Sequence, residues 1–324
     1  MSRVTLQKIA EHVGVSKYAV SRSLSGKDGV SEATRKTVER AAHDLGYVAP
    51  SYLGSRTIQL VLHDHDPVNS EVQLRIQRGI QRAAERFGYP VQLQWTHDGN
   101  RIVEAGRDGV GMILVGPHAP IEPGRPGERP LPLVKVGVTD PLEPIDQVGS
   151  ASNEATAALG LKLAAYGHRR IGFLHGNRGY RGRLERLNAL QFALAGHGGV
   201  ELRELCFNED GGFLAAFEQL RRDGFTPTAL LAANDWIAVG AISDLFRLGL
   251  RVPDDISVVG YGDYAAATQT TPQLTTIRVP GEEMGAAALE MLIERIERRT
   301  SAPRPWRRLN LCPEIIERQS LRRI

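Results

Sequence analysis

Lys17, Tyr18 and Arg22 face outward from one short helical segment, and hydroxyl residues stand at the helix starts around them: Ser16, Ser21, Ser31 and Thr34. These residue types suit nucleic acid. Side chains near the start of a helix laid in the major groove reach base edges, which present a different donor and acceptor pattern for each base pair. Short hydroxyls at such positions suit phosphate oxygens. A second set sits at the ends of apolar runs. His63 and Asp64 follow Ile58–Leu62, Asn234 follows Ala229–Ala232, and Gly262 and Asp263 follow Ile256–Gly260. Arg186, on a helical stretch, carries a fork of donors for a hydroxyl or carboxylate. Open α/β sheets bind ligands beyond the carboxyl ends of their strands. Each of these residues alone is an ordinary turn or cap residue, and their convergence on one cleft carries the ligand reading.

The elements that must position these groups can be read from the pattern. Thr5 is an N-cap for a first helix with Leu6, Ile9, Ala10 and Val13 at helical spacing, and Gly14 breaks it. Ser16 caps a second helix to about Leu24, with Val20 and Leu24 inward. Ser31 caps a third, whose core positions are Val38, Ala41, Ala42 and Leu45 and whose C-cap is Gly46. Spacing alone leaves two readings open: a helix-turn-helix, or a three-helix domain whose polar face contacts nothing. Residues 50–57, with Pro, Gly and Ser, read as a linker. Beyond them, strands are expected at Ile58–Leu62, Val91–Trp95, Met112–Val115, Leu133–Val138, Ile171–Leu174, Ala229–Ala232 and Ile256–Gly260. Helices are expected at Glu71–Phe87, Asn153–Tyr166, Arg183–Ala195, Gly212–Arg222, Ala238–Leu248 and Ala286–Arg299. The last has Leu289, Leu292, Ile293 and Ile296 on one face, a core stripe. Such alternation predicts parallel sheets covered by helices, here two α/β lobes with a cleft between them. The Pro/Gly-rich segment Pro117–Pro132 reads as a surface loop.

Bulk properties narrow the function classes. The 324 residues exceed one ordinary core. The net charge of +3 sits in the first 50 residues, with eight Lys/Arg against five Asp/Glu, while the remainder is neutral. That bias alone is weak support for nucleic-acid binding. No apolar run is long enough to cross a membrane and no secretory signal is visible, so a cytoplasmic protein is expected. Cys206 and Cys312 are far apart and read as buried structural thiols. There is no P-loop, no GxGxxG after a strand and no G-x-S-x-G elbow, so neither an enzyme nor a cofactor is expected. His63-Asp64-His65-Asp66 places two histidines on one side of an extended segment. No further motif completes a coordination shell, so it reads as cleft or surface loop and no metal is expected. The arginines from Arg304 to Arg308 and at Arg322-Arg323 read as solvated surface.

The string from Thr5 to Ser25, followed by Val30-Ser31-Glu32-Ala33-Thr34-Arg35 and Leu45-Gly46-Tyr47, resembles the head of the lac/gal repressor family. The likeness continues through Gly167-His168-Arg169-Arg170-Ile171-Gly172-Phe173, Arg186-Leu187-Asn188-Ala189-Leu190, Ala233-Asn234-Asp235, Gly249 to Tyr261 and Pro272 to Ile277. The resemblance implies a transcriptional regulator, a repressor, that binds near-palindromic operator DNA as a homodimer, with a tetramer as the alternative. In it Lys17, Tyr18 and Arg22 would read bases, and Thr5, Ser16, Ser21, Ser31, Thr34 and Tyr47 would hold phosphates. It implies a sensor similar to periplasmic sugar-binding proteins, with a small sugar-like effector between the lobes and Phe207 against the ligand. A free solute-binding protein, the competing class, is disfavoured by the head and the absent signal.

The expected organisation is therefore α + α/β. Residues 1–49 form a three-helix head, and the sensor at 58–324 has one lobe at about 58–167 and 280–308 and another at about 168–279 and 309–324. Two departures from the family stand out. Gly262 occupies the place of an aspartate that often holds the effector, which favours a sugar acid or phosphate over a neutral sugar. The linker is about six residues shorter, and Pro50 and Gly54 disfavour a hinge helix. Leu53 is then the remnant of a minor-groove wedge, with weaker insertion expected.

Overall fold

The fold comes from a computed structural model, which describes residues 5–24, 29–45, 47, 56–64, 70–121, 130–138, 141–176, 181–207, 212–297 and 305–324. The linker up to residue 55, with Leu53, and the expected cap Gly46 lie outside them. So do His65, Asp66 and half of the Pro/Gly-rich loop, residues 122–129.

The head is three helices, α1 (Leu6–Val13), α2 (Lys17–Leu24) and α3 (Glu32–Asp44). Thr5 has extended backbone angles, and its Oγ1 accepts from the Lys8 N–H, satisfying one of the donors a helix start leaves over. Gly14 ends α1 at φ 77°, where its N–H reaches the Ala10 carbonyl at 2.9 Å. Ser16 Oγ accepts from Ala19 N–H, and Ser31 Oγ accepts from Thr34 N–H. Ile9, Ala10, Val20, Val38, Ala41 and Ala42 form the core, with Leu6, Leu24, Leu45 and Tyr47 packed around it.

The body begins with β1 (Ile58–Leu62), α4 (Ser70–Phe87), β2 (Val91–Trp95), α5 (Gly99–Gly106), β3 (Gly111–Val115), β4 (Leu133–Val136) and β5 (Asp146–Ser150). After these and a second unit, α11 (Gly281–Glu297) and β11 (Arg308–Leu311) return to it. The sheet is parallel throughout, in the order β11-β5-β4-β3-β1-β2. Alternation along each strand divides its two faces. Ile58, Leu60, Leu62, Ile113 and Val115 meet α4 and α11, whereas Val61, Met112 and Leu114 meet Ile102 of α5. Two glycines let α4 and α11 touch backbone to backbone. A Cβ at Gly79 would lie 1.9 Å from Glu282 O, and one at Gly285 2.1 Å from Ile76 O.

The second unit holds α6 (Ser152–Ala165), β6 (Arg170–His175), α7 (Arg181–Ala195), β7 (Glu201–Cys206), α8 (Gly212–Arg222), β8 (Ala229–Ala232), α9 (Asp235–Arg247), β9 (Ser257–Val259) and α10 (Ala266–Gln269). Its parallel sheet runs β7-β6-β8-β9, and β10 (Thr276–Arg278) pairs antiparallel with β12 (Glu314–Ile316). Two expected boundaries shift. Helix α6, assigned from sequence to the first lobe, packs on α7, where a Cβ at Gly160 would lie 2.1 Å from Leu190 Cδ1. Residues 309–311, assigned to the second lobe, pair with β5 in the first sheet. The chain thus crosses between sheets after β5, after β10 and after β11. The cysteines also differ from expectation: Cys206 is half-buried at the end of an edge strand, and Cys312 is exposed just past β11.

Most of the late arginines are held rather than merely solvated. Arg295 and the Arg307 N–H bind the buried Asp146, and Arg323 stacks on Tyr166. Burial alone would raise the Asp146 carboxyl, but the bonds from Arg295 and Arg307 outweigh it and hold it below the ordinary value. Among the described residues no helix is long and apolar enough to cross a membrane.

Candidate DNA-binding surface and interlobe site

Helix α2 presents Lys17 and Tyr18 outward, with Tyr18 69% exposed. Arg22 sits one turn on. Its Nη1 donates to Tyr18 Oη at 2.9 Å, and the guanidinium lies 5.4 Å from the ring centroid. The two side chains therefore form one preset unit on the outer face. Thr5 and Ser16 spend their oxygens as acceptors for helix N–H groups, yet a hydroxyl keeps a donor that suits a phosphate. Ser31 and Thr34 hydroxyls are joined at 2.8 Å, and Tyr47 packs on the core with its N–H bonded to Ala42 O. Ser21 is half-buried on α2. All the predicted DNA residues thus lie in one small three-helix unit, and three of them are caps, a role that the sequence also shows.

At the carboxyl edge of the first sheet, His63 and Asp64 follow β1 and meet histidines from two other strand ends. His97 Nδ1 lies 2.8 Å from Asp64 Oδ1, and the His63 ring is 5.8 Å from His97 and 5.0 Å from His118, centroid to centroid. His118 is buried. Its Nε2 faces the Val115 carbonyl at 3.1 Å, so that nitrogen carries the proton, and Nδ1 is an acceptor without a partner among the described residues. Burial first, then the charge of His63, pushes its pKa down to about 4. Sequence reasoning named neither His97 nor His118, because strand-to-strand register is needed to bring them to His63.

The second sheet supplies the opposing residues. Arg186 Nη2 donates to the Ala233 carbonyl at 2.9 Å, and its guanidinium lies 3.9 Å from the Tyr261 ring centroid. Phe207 follows β7 and packs partly on the lobe core. Asn234 uses its Oδ1 to cap α9 through the Ile237 N–H, which leaves its amide donors for a ligand. The next residue, Asp235, is completely buried and accepts from Tyr264 N–H and Thr276 Oγ1. Burial lifts its pKa to about 6 against those two hydrogen bonds. It fastens α9 to the segment after β9 and was also missed from the sequence, where it reads as a first-turn acidic residue.

That segment, Gly262 to Ala265, behaves differently from expectation. Gly262 has φ 124°, and a Cβ there would lie 2.3 Å from Tyr264 Cε1. Asp263 has a partner on each carboxylate oxygen, Arg278 Nε at 2.7 Å and Arg318 Nη2 at 2.6 Å, so two arginines fix its orientation at the cavity wall. Arg75 of α4 donates to the carbonyls of both Gly262 and Asp263, and Ala265 N–H donates to Glu71, so the segment ties the two lobes. A cavity of about 370 Å³ lies here, lined by Glu71, Arg75, Arg78, Asp263, Arg278 and Arg318. Of the predicted effector residues, Asp263 alone lines it. Of the rest, His63 and Asp64 lie at the edge of the first sheet, and Arg186, Phe207, Asn234 and Gly262 lie with the second. Val138 of the first lobe lies 3.4 Å from where a Gly182 Cβ would be at the start of α7.

Comparison with known proteins accounts for this arrangement. Residues 5–50 match the bacterial regulatory proteins of the lacI family, and residues 162–321 match a periplasmic binding protein-like domain. The HTH-type transcriptional regulator CelR of Thermobifida fusca is 32% identical over 93% of this chain and 94% of its own. The ribose operon repressor of Escherichia coli K12 is 31% identical over 98% and 99%. Among solved structures, a transcriptional regulator CelR–cellobiose complex superposes with a TM-score of 0.68 at 28% identity, covering 98% of this chain and all of that one. The Lac repressor bound to ONPG in its repressed state gives 0.67 at 25%, covering 99% and 100%. With a helix-turn-helix head on a two-lobed parallel α/β body, the chain belongs to the lacI family of DNA-binding transcriptional regulators.

Proposed function

We propose that this regulator is a repressor that acts as a homodimer on a near-palindromic operator in the cytoplasm, performs no catalysis, and is controlled by a small ligand between its lobes. The observation that carries the DNA half is the preset Tyr18–Arg22 pair beside exposed Lys17 on α2, a helix capped by Ser16 and presented by a fully packed core. These three side chains read base edges, and Thr5, Ser16, Ser21, Ser31, Thr34 and Tyr47 hold phosphates. Two heads related by a two-fold axis address half-sites roughly 34–36 Å apart or a multiple of that. The test is fluorescence anisotropy of the purified protein on DNA from upstream of its own gene, across a salt series, with random DNA as control. Specific binding by about a thousandfold or more, weakening as salt rises, supports the reading. Binding equal to random DNA on that fragment and on genomically selected fragments overturns it.

The ligand is a polyhydroxylated molecule of sugar type, consistent with the cellobiose held by a solved relative and the ribose in another relative's name. Arg186 on Tyr261, the Asn234 amide and Phe207 form the second-lobe wall, and His63 and Asp64, backed by His97, form the first. With glycine at 262 the wall near Arg186 lacks a carboxylate. A sugar acid or sugar phosphate therefore fits better than a neutral sugar. Calorimetric titration of paired neutral sugars and sugar acids decides this, and selective tight binding of a neutral sugar would count against it.

A further inference from the structure

A separate cluster sits at the open edge of the second sheet. His175 ends β6 and Cys206 ends the neighbouring edge strand β7, where the two are register partners. Glu204 lies two residues before Cys206 and so shares its face of the strand. His175 Nε2 is 2.8 Å from Glu204 Oε1, and one donor atom from each of His175, Glu204 and Cys206 lies within 4.8 Å of the others. Cys206 is a free thiol whose Sγ faces the Gly176 carbonyl at 3.6 Å. His175 is fully buried, and its Nδ1 has no hydrogen-bond partner among the described residues. The buried imidazole thus uses Nε2 on the carboxylate and leaves Nδ1 unused among the described residues.

We infer that His175, Glu204 and Cys206 form a binding site for a divalent cation of the zinc class, with water or a ligand as the fourth donor. One imidazole, one thiolate and one carboxylate suit zinc's preference for N and S donors with a carboxylate oxygen. Tetrahedral zinc with ordinary bond lengths separates its donors by roughly 3.3–3.6 Å. The present spacing therefore closes onto a metal through small side-chain rotations, with the His175–Glu204 contact opening slightly. Binding releases one proton, from the Cys206 thiol, while the imidazole stays neutral with one N–H. The two anionic donors match the dication's charge, which matters because buried Arg183 lies near Gly176. No sequence motif marks the site, because His175 and Cys206 are 31 residues apart and only the β6–β7 register joins them. The site does not depend on the DNA or effector readings. It would fix the end of β7 immediately before Phe207.

Cobalt(II) titration of the full chain, stripped by chelation, tests this. The expected result is one Co²⁺ per chain, visible bands of tetrahedral intensity, a thiolate-to-metal charge-transfer band in the near ultraviolet, and displacement by Zn²⁺. Cys206→Ser removes the charge-transfer band and weakens binding by more than about a hundredfold, since loss of an outer partner alone costs 10–100-fold. Cys312→Ser leaves band and affinity unchanged. Circular dichroism in chelator checks that both variants are folded. Absence of a charge-transfer band in the wild type, its survival in Cys206→Ser, or its loss in Cys312→Ser overturns the site.

Discussion

Gly262 is fixed by its neighbours, since a positive φ and the Tyr264 ring together exclude any side chain. Gly262→Asp, the change that would restore a carboxylate to the wall, is therefore expected to destabilise by about 2–4 kcal/mol through backbone strain and overpacking. Chemical denaturation measures this, and unchanged stability would show that Tyr264 moves aside freely. Two other residues set opposing pH responses. His118 is pushed from 6.5 to about 4, so the unfolded chain takes up a proton that the folded chain refuses, and stability is lost as pH falls between those values. Asp235 is raised from 3.8 to about 6, so over nearly the same window the folded chain holds the proton more tightly and stability is gained as pH falls. Each amounts to about 3 kcal/mol, and they nearly cancel. Asp235→Asn should unmask the His118 response as a steep loss on going from pH 6.5 to 4.5, and His118→Gln should reverse the slope. Denaturation curves across that range give the slopes directly, and parallel slopes in all three proteins would refute the assignment. Neither residue was legible beforehand. The strand-end rule found His63, Asp64 and Asn234 because each directly follows an apolar run, but His118 and Asp235 take their character from burial, which depends on partners far along the chain.

At the level of elements, the α4–α11 crossing depends on two missing side chains. Gly285→Val places methyl groups where the Ile76 carbonyl now lies, and a loss of about 1–3 kcal/mol or more is expected from thermal or denaturant unfolding. Gly240 on α9 is the matched control. Its Cβ position is open, so Gly240→Ala should add about 0.4–1 kcal/mol. The strands β1, β3 and β8 were legible because they are apolar runs buried on both faces. Strand β5 was not, since Asp-Gln-Val-Gly-Ser carries a carboxylate into the interior that is intelligible only once Arg295 is seen on it. Strand β7 was hidden by the charges expected of an edge. Helix α5 is short, and its one clear signal, Asp98 as N-cap for Asn100 and Arg101, was passed over. Helix α6 was found but assigned to the wrong lobe, because its own periodicity does not say which sheet it covers.

The whole molecule is two parallel sheets that the chain visits alternately, and this shape was legible from strand–helix alternation and from the family likeness, apart from the positions of the crossings. The third crossing follows β11, so the first sheet receives its last strand and the helix over its α4 face only near the end of the sequence. On a ribosome this order matters. A nascent chain that has emerged as far as residue 280 has made β1 to β5, yet Ile76, Ile80 and Ala84 of α4 have no α11 to cover them. The second lobe is complete except for β12 and the tail that bonds Ser320 to Val258. Such a chain exposes an apolar seam until residues 281–297 have followed and folded onto it as α11. A fragment released at residue 280 should bind apolar dyes and aggregate, whereas the full chain should do neither. The yield of this regulator would then depend on how quickly the codons for residues 281–297 are read.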